Sequence, residues 1–159
     1  MTQEPVPVVP ASTPELYQRY SLVVAGKGTN TTIRSNQENH VLFLNRYIQD
    51  TEVAHLFKNA KVVVYPYISA TQSGVLTLAF YFGTPILASD VPFFKEMIEG
   101  GKNGMLFQNG DENDLKKVLM NILNSDTSDM TRFEKDYYSE HYTKGAQRSA
   151  LLDIYRQLI

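Results

Sequence analysis

The apolar positions of this chain fall into short blocks separated by longer mixed segments. Residues 21–26 read SLVVAG, a run of Val and Leu without polar alternation. That is the pattern of a strand covered on both faces, as in a parallel sheet. It recurs at 41–47 (VLFLNRY), 61–67 (KVVVYPY), 85–90 (PILASD) and 104–108 (GMLFQ). The segments between change to a helical period. Over 50–60, Val53, Leu56, Phe57 and Ala60 share one face behind an N-cap at Asp50 or Thr51. Residues 73–82 predict a helix apolar nearly all round, hence sandwiched, and closed by Gly83 just past its end. A short helix is expected over 93–100. A long amphipathic one is expected over 111–125, with an acidic first turn that suits the helix dipole. Two more follow at 128–141 and 144–159, the last with Leu151, Leu152, Ile154, Tyr155 and Leu158 on its buried side.

Strands alternating with helices across short loops predict an α/β fold. The expected form is a doubly wound, Rossmann-like parallel sheet with helices on both faces and C-terminal helices. Residues 15–159 are expected to form one domain. Residues 1–14 hold four prolines, which block helix and ladder alike, so they read as a flexible leader or a remnant foreign to the domain. Residues 27–40 are polar and irregular.

Composition narrows the classes. A chain of 159 residues, 43% hydrophobic, can bury a core. With 15 Lys and Arg against 17 Asp and Glu, no basic excess directs it to nucleic acid. The absence of cysteine excludes disulfides, zinc knuckles and thiol nucleophiles. No apolar run approaches the roughly 18 residues that span a bilayer, and the N-terminus lacks a signal-peptide pattern.

In a doubly wound sheet, ligands bind at the carboxyl ends of the strands. Three loops lie there: after Ala25, after Asn45 and after Pro66. The third opens the apolar helix. Backbone amides at Gln72, Ser73, Gly74 and Val75 have no partners inside that helix, and with its dipole they attract an anion such as phosphate. Ser69, Thr71 and Ser73 add hydroxyls, and Gly74 allows close approach. The same pattern also serves plain helix capping. In the first loop, Gly26 and Gly28 permit a tight turn and Lys27 can offset phosphate charge; the alternative is a turn with a solvated lysine. Neither a full dinucleotide fingerprint nor a Walker loop is present. In the second loop, Tyr47 and Ile48 can flank a planar ring, or Tyr47 simply covers the strand end. Catalytic groups are sparse. His40, His55 and His141 lack metal-ligand spacing. Asp90, Glu96 and Glu99 cluster near one turn, and no nucleophile elbow occurs.

Taken in order, "LVVAGKG", "VLFLNRYIQDTEVAHLFKNAKVVVYPY" and "ATQSGVLTLAFYFGTPILASDVPFFKEMIEGGKNGMLFQNGDENDLKKVL" resemble the C-terminal half of family 4 glycosyltransferases. These are retaining enzymes of the two-domain GT-B type. The likeness runs from about Ser21 to Leu123. It implies a nucleoside-diphosphate-sugar donor whose diphosphate lies on Ser69, Thr71, Gln72, Ser73, Gly74 and Val75, with Gly26 and Lys27 nearby. The nucleobase would lie against Arg46, Tyr47 and Ile48. It implies hexosyl transfer to a glycan or lipid-linked acceptor, with no cofactor and no metal. The implied setting is cytoplasmic, at the inner face of a membrane with which the full-length enzyme associates peripherally. The remaining partner would be the family's acceptor-binding N-terminal domain, which this sequence lacks.

Two departures stand out. The family's paired glutamates fall on Ala70 and Leu78. Its usual opening strand and Gly-Arg…Lys-Gly segment are replaced by the proline-rich leader, with Pro5–Val9 the one stretch that could stand in for the strand. The expected fragment binds donor weakly and transfers little sugar. The competing reading is a non-catalytic nucleotide- or phosphate-binding module. A flavodoxin-like or response-regulator-like domain would need an acidic cluster where Gly26-Lys27-Gly28 stands.

Overall fold

The computed structural model describes residues 18–28 and 40–157. Residues 1–17, which include the leader, residues 29–39 and residues 158–159, which include Leu158, lie outside the described residues, so the expectations placed on them are not addressed below. Five strands are present: β1 (Leu22–Ala25), β2 (Val41–Leu44), β3 (Val63–Tyr65), β4 (Ile86–Ser89) and β5 (Gly104–Phe107). Six helices with described bounds accompany them among the described residues: α1 (Asp50–Asn59), α2 (Gly74–Phe82), α3 (Pro92–Met97), α4 (Glu112–Asn124), α5 (Ser128–His141) and α6 (Lys144–Gln157). Every strand pairing is parallel. The architecture is therefore the expected α/β one, but the ladder divides in two. β1 pairs β2, and β3-β4-β5 form a separate three-stranded sheet.

The strands are shorter than the apolar runs that announce them. β3 stops at Pro66, which has no amide to donate. β2 stops where the Arg46 amide turns back to the Leu44 carbonyl at 2.9 Å. The N-cap of α1 is Gln49 rather than Asp50 or Thr51, because the Glu52 carboxylate reaches back to the Gln49 amide at 3.0 Å and draws Asp50 into the first turn.

Pleating assigns successive residues of the three-stranded sheet to opposite faces. Tyr65, Ile86 and Ala88 meet Leu76, Ala79 and Phe80 of α2 and Phe94 of α3. Leu87 and Phe107 meet Leu115, Leu119, Ile122 and Leu123 of α4, with Met130 of α5. These positions on α4 follow the i, i+4, i+7, i+8 spacing of one helical face. Each fully buried Leu, Ile or Phe in these layers contributes about 1.5–3 kcal/mol.

α2 is packed on several sides, as its sequence demands. Phe57 of α1 stacks on Phe82 at 5.6 Å, and Tyr137 and Tyr142 cover Phe80 at 5.0 and 6.1 Å. Val75 in its first turn and Tyr81 near its end stay exposed. Gly83 closes the helix at φ 67°, donating its amide to Ala79 and Phe80. A Cβ there would lie 2.9 Å from the Thr131 carbonyl oxygen, so the turn and the α2–α5 contact both require glycine. α6 corrects one expectation. Leu151, Leu152, Ile154 and Tyr155 are 44–59% exposed instead of buried. The helix runs beyond the two core layers, and none of the four side chains enters either of them.

Candidate functional site

The loop between β3 and α2 is held from three sides. Beneath it, Tyr65 is buried at the end of β3 and donates its hydroxyl to the Val75 carbonyl at 3.0 Å, fixing the strand end to the first turn of α2. Burial drives the Tyr65 phenol far above its ordinary pKa, so it stays a donor. From β4, the buried Ser89 hydroxyl donates to the Tyr67 carbonyl at 2.6 Å. From beyond β5, the Asn109 side chain donates to the Ile68 carbonyl at 3.0 Å. The Asn109 amide in turn donates to Asp90 Oδ1 at 2.8 Å, and Lys95 pairs with Asp90 Oδ2 at 3.0 Å. The Asn109 amide first, then Lys95, holds the Asp90 carboxyl below its usual range.

α2 begins at Gly74, with Ser73 as N-cap in extended conformation. Gln72 and Ser73 thus precede the helix, and its first-turn amides belong to Gly74, Val75 and Leu76. The Ser73 hydroxyl oxygen accepts from the Leu76 amide at 3.3 Å. Among the described residues no protein group accepts from the Gly74 or Val75 amide. A Cβ on Gly74 would meet nothing within 4 Å. One first-turn donor is thus capped internally, and two have no acceptor among the described residues at the positive end of a helix dipole. Thr71 and Gln72 are exposed beside them. Ala70 packs against the core cluster and Leu78 is half-buried in α2, so neither position presents a polar group.

The other two loops join each other. The Gly28 amide donates to Asn45 Oδ1 at 2.9 Å, linking the turn after β1 to the end of β2. Gly26 sits at φ 139°, and Lys27 is exposed. Arg46 makes a two-pronged pair with Glu52 at 2.6 and 2.9 Å and also donates to the Tyr47 carbonyl at 3.0 Å. The Arg46 hydrogen bond, then the Gln49 amide, lowers the Glu52 carboxyl to about 2. The guanidinium is thus turned back onto α1, where it sets the shape of the loop. Tyr47 is 66% exposed, and Ile48 is half-buried beneath it.

The structure therefore forms two groups: Gly26–Gly28 with Asn45–Ile48, and Tyr67–Val75 with Ser89, Asp90, Lys95 and Asn109. Sequence reading missed Asn45, Tyr65 and Asn109. Asn109-Gly110 is a turn signal, but nothing local announces that its side chain reaches Ile68 across 41 residues. Among the described residues no cluster of three His, Cys, Asp or Glu could hold a metal ion, and no helix is long and apolar enough to cross a membrane.

All-parallel strands alternating with helices make this an α/β domain of Rossmann-like architecture. The chain belongs to the Glycosyl transferases group 1 family, which matches residues 6–125. It is 30% identical over 116 residues to a phosphatidyl-myo-inositol mannosyltransferase of Mycobacterium leprae (strain TN), covering 70% of this chain and 31% of that protein. The counterpart in Mycolicibacterium smegmatis is 27% identical over 126 residues, covering 75% and 32%. The chain thus spans about a third of these curated relatives. Among solved structures, sucrose-phosphate synthase from Thermosynechococcus elongatus superposes at TM-score 0.62 with 23% identity, over 76% of this chain and 30% of that one. Anabaena HepE, solved with UDP-glucose, superposes at 0.62 with 18% identity, over 76% and 33%. The fold is that of the C-terminal domain of a GT-B glycosyltransferase.

Proposed function

We propose that this chain is the donor-binding half of a retaining glycosyltransferase. It would hold a nucleoside-diphosphate sugar while a hexosyl unit passes to a glycan or lipid-linked acceptor bound by a second lobe. The observation that carries this reading is the pair of unaccepted amides at Gly74 and Val75, set on a loop pinned by Tyr65, Ser89 and Asn109. Preorganised donors stabilise charge that develops on a departing diphosphate without reorganising during the reaction. The name of the mycobacterial relatives, phosphatidyl-myo-inositol mannosyltransferase, supports a lipid-linked acceptor. The loop after β2, Arg46–Ile48, would take the base through the exposed Tyr47 ring, with Lys27 reaching toward phosphate. No metal is needed, since helix amides take the role of a cation. Without a second lobe to exclude water, the isolated chain would bind donor weakly and transfer little sugar.

The test is titration of the chain with UDP, GDP, ADP and their hexose conjugates, followed by amide NMR. Shifts confined to Gln72–Val75 and Arg46–Ile48 are expected for one base. No perturbation at either loop with any of the three would end this reading. The apolar Ala70 and Leu78 favour a second one, a nucleotide-binding module without catalysis. The two separate when the chain is joined to the N-terminal lobe of a related mannosyltransferase: sugar transfer supports the enzyme, and binding without transfer supports the module.

A further inference from the structure

α5 turns one line of side chains inward. Met130 packs in the layer formed with α4, while Tyr137 and Tyr138 pack against the layer that holds Tyr65, Leu76 and Phe80. Glu134 lies on the same line, one turn from each, and is wholly buried. A buried polar group ordinarily has a hydrogen-bond partner, yet neither carboxyl oxygen has one among the described residues. Every other charged side chain of α5 and α6 is exposed, including Lys135 next to it in the chain. α2 carries one ionisable side chain, Tyr81, and that is 53% exposed. The group facing Glu134 from the sheet is the Tyr65 phenol. Its ionisation is opposed first by burial, then by Tyr67, then by Glu134.

The Tyr65 hydroxyl has a single hydrogen to give. It goes to the Val75 carbonyl at 3.0 Å, in the first turn of α2. Val75 also carries one of the two unaccepted amides. A neutral Glu134 leaves that hydrogen where it is. An ionised one, buried among apolar side chains, is costly until a donor reaches it, and the phenol is the donor that faces it. We propose that Glu134 is a positioning residue for the loop between β3 and α2: as a neutral acid it leaves Tyr65 bonded to Val75, and as a carboxylate it draws the Tyr65 hydroxyl to itself and releases the first turn of α2. Its consequence for ligand binding rests on the donor-binding reading above; the switch itself does not. Burial lifts the Glu134 carboxyl to about 9. The held form therefore belongs to neutral and acid solution, and the released form to alkaline solution.

The test is a carbon-detected NMR titration of the full chain from pH 6 to 10, beside Glu134→Gln and Tyr65→Phe. In the unaltered chain the Glu134 carboxyl carbon, the Tyr65 ring and the Val75 carbonyl carbon should move together, with one midpoint near 9. The Leu119 carbonyl carbon in α4 should stay put. Glu134→Gln should abolish the movement at Tyr65 and Val75. Tyr65→Phe should hold the Val75 carbon at its alkaline position at every pH. With whichever of UDP, GDP and ADP binds, the dissociation constant should rise at least fivefold across the same midpoint, and by less than twofold in Glu134→Gln. The proposal is overturned if Val75 stays still while the Glu134 carboxyl titrates, if no Glu134 midpoint falls in this range, or if Val75 still titrates in Glu134→Gln. Leu119 moving with Val75 would mean global unfolding and overturn it as well. Should none of the three nucleotides bind at any pH, the donor-binding reading fails, and the Val75 titration in the free chain still decides this proposal.

Discussion

Glu134 on α5 is fully buried, and neither carboxylate oxygen has a hydrogen-bond partner among the described residues. Desolvation raises its pKa from an ordinary 4.5 to about 9, opposed only weakly by the neighbouring Lys135. The phenol of Tyr65 faces it from β3 and offers no positive charge. At neutral pH the carboxyl is therefore protonated in the fold and ionised in the unfolded chain. The folded state binds more protons at this group, so its contribution to stability is greatest below about pH 4.5 and is lost as pH rises toward 9. The slope is about 1.4 kcal/mol per pH unit, or about 4 kcal/mol between pH 5 and 8. Against the 5–15 kcal/mol typical of a domain, that is a large share. Glu134→Gln keeps the shape and removes the titration. Urea unfolding of both proteins at pH 5, 6, 7 and 8 should give curves whose separation widens in favour of the variant, by at least half of that total. The other titrating groups are common to both and cancel. Parallel pH profiles would refute the reasoning, because they would place a cation or a water against the carboxylate.

Other expectations follow from single contacts. Gly74→Val should leave unfolding free energy within about 0.5 kcal/mol, since the space around Gly74 is open, yet weaken nucleoside-diphosphate binding at least tenfold by calorimetry; unchanged affinity would remove the amides from the site. Ser73→Ala should cost about 1 kcal/mol in chemical unfolding through loss of the Leu76 cap. Gly83→Ala should cost about 2 kcal/mol or more, because it adds a left-handed residue to a clash with the Thr131 carbonyl, and a thermal melt lowered by several degrees would register it. Arg46→Ala should return the Glu52 carboxyl from about 2 toward its ordinary range, as read by carboxyl-carbon NMR titration. Glu52 is depressed, so whatever it contributes is present above the ordinary carboxylate pKa and lost as pH falls.

The legible parts of this molecule are those set by local pattern. Short apolar runs marked all five strands, but the two-faced burial they suggested is met in β4 and not in β1 or β2, where Val23 and Leu42 are exposed. Gly83 marked a helix end because only glycine takes φ 67° at no cost. The all-apolar α2 required neighbours on several sides, and α1 and α5 are there. What pattern could not carry was non-local. The Leu and Ile stripe of α6 looked like a core face, but a stripe reports only that some surface is wanted, not that this chain provides it. The start of α2 was legible from the β3–α2 loop itself, yet the loop's anchoring comes from Tyr65, Ser89 and Asn109, whose acceptors lie 10, 22 and 41 residues away. The buried Glu134 sits in a helix whose sequence otherwise reads as charged surface. Strand order is likewise written in no single segment: the pairing of β1 with β2, and of β3, β4 and β5, follows from contacts between runs distant in the chain and not from any one run.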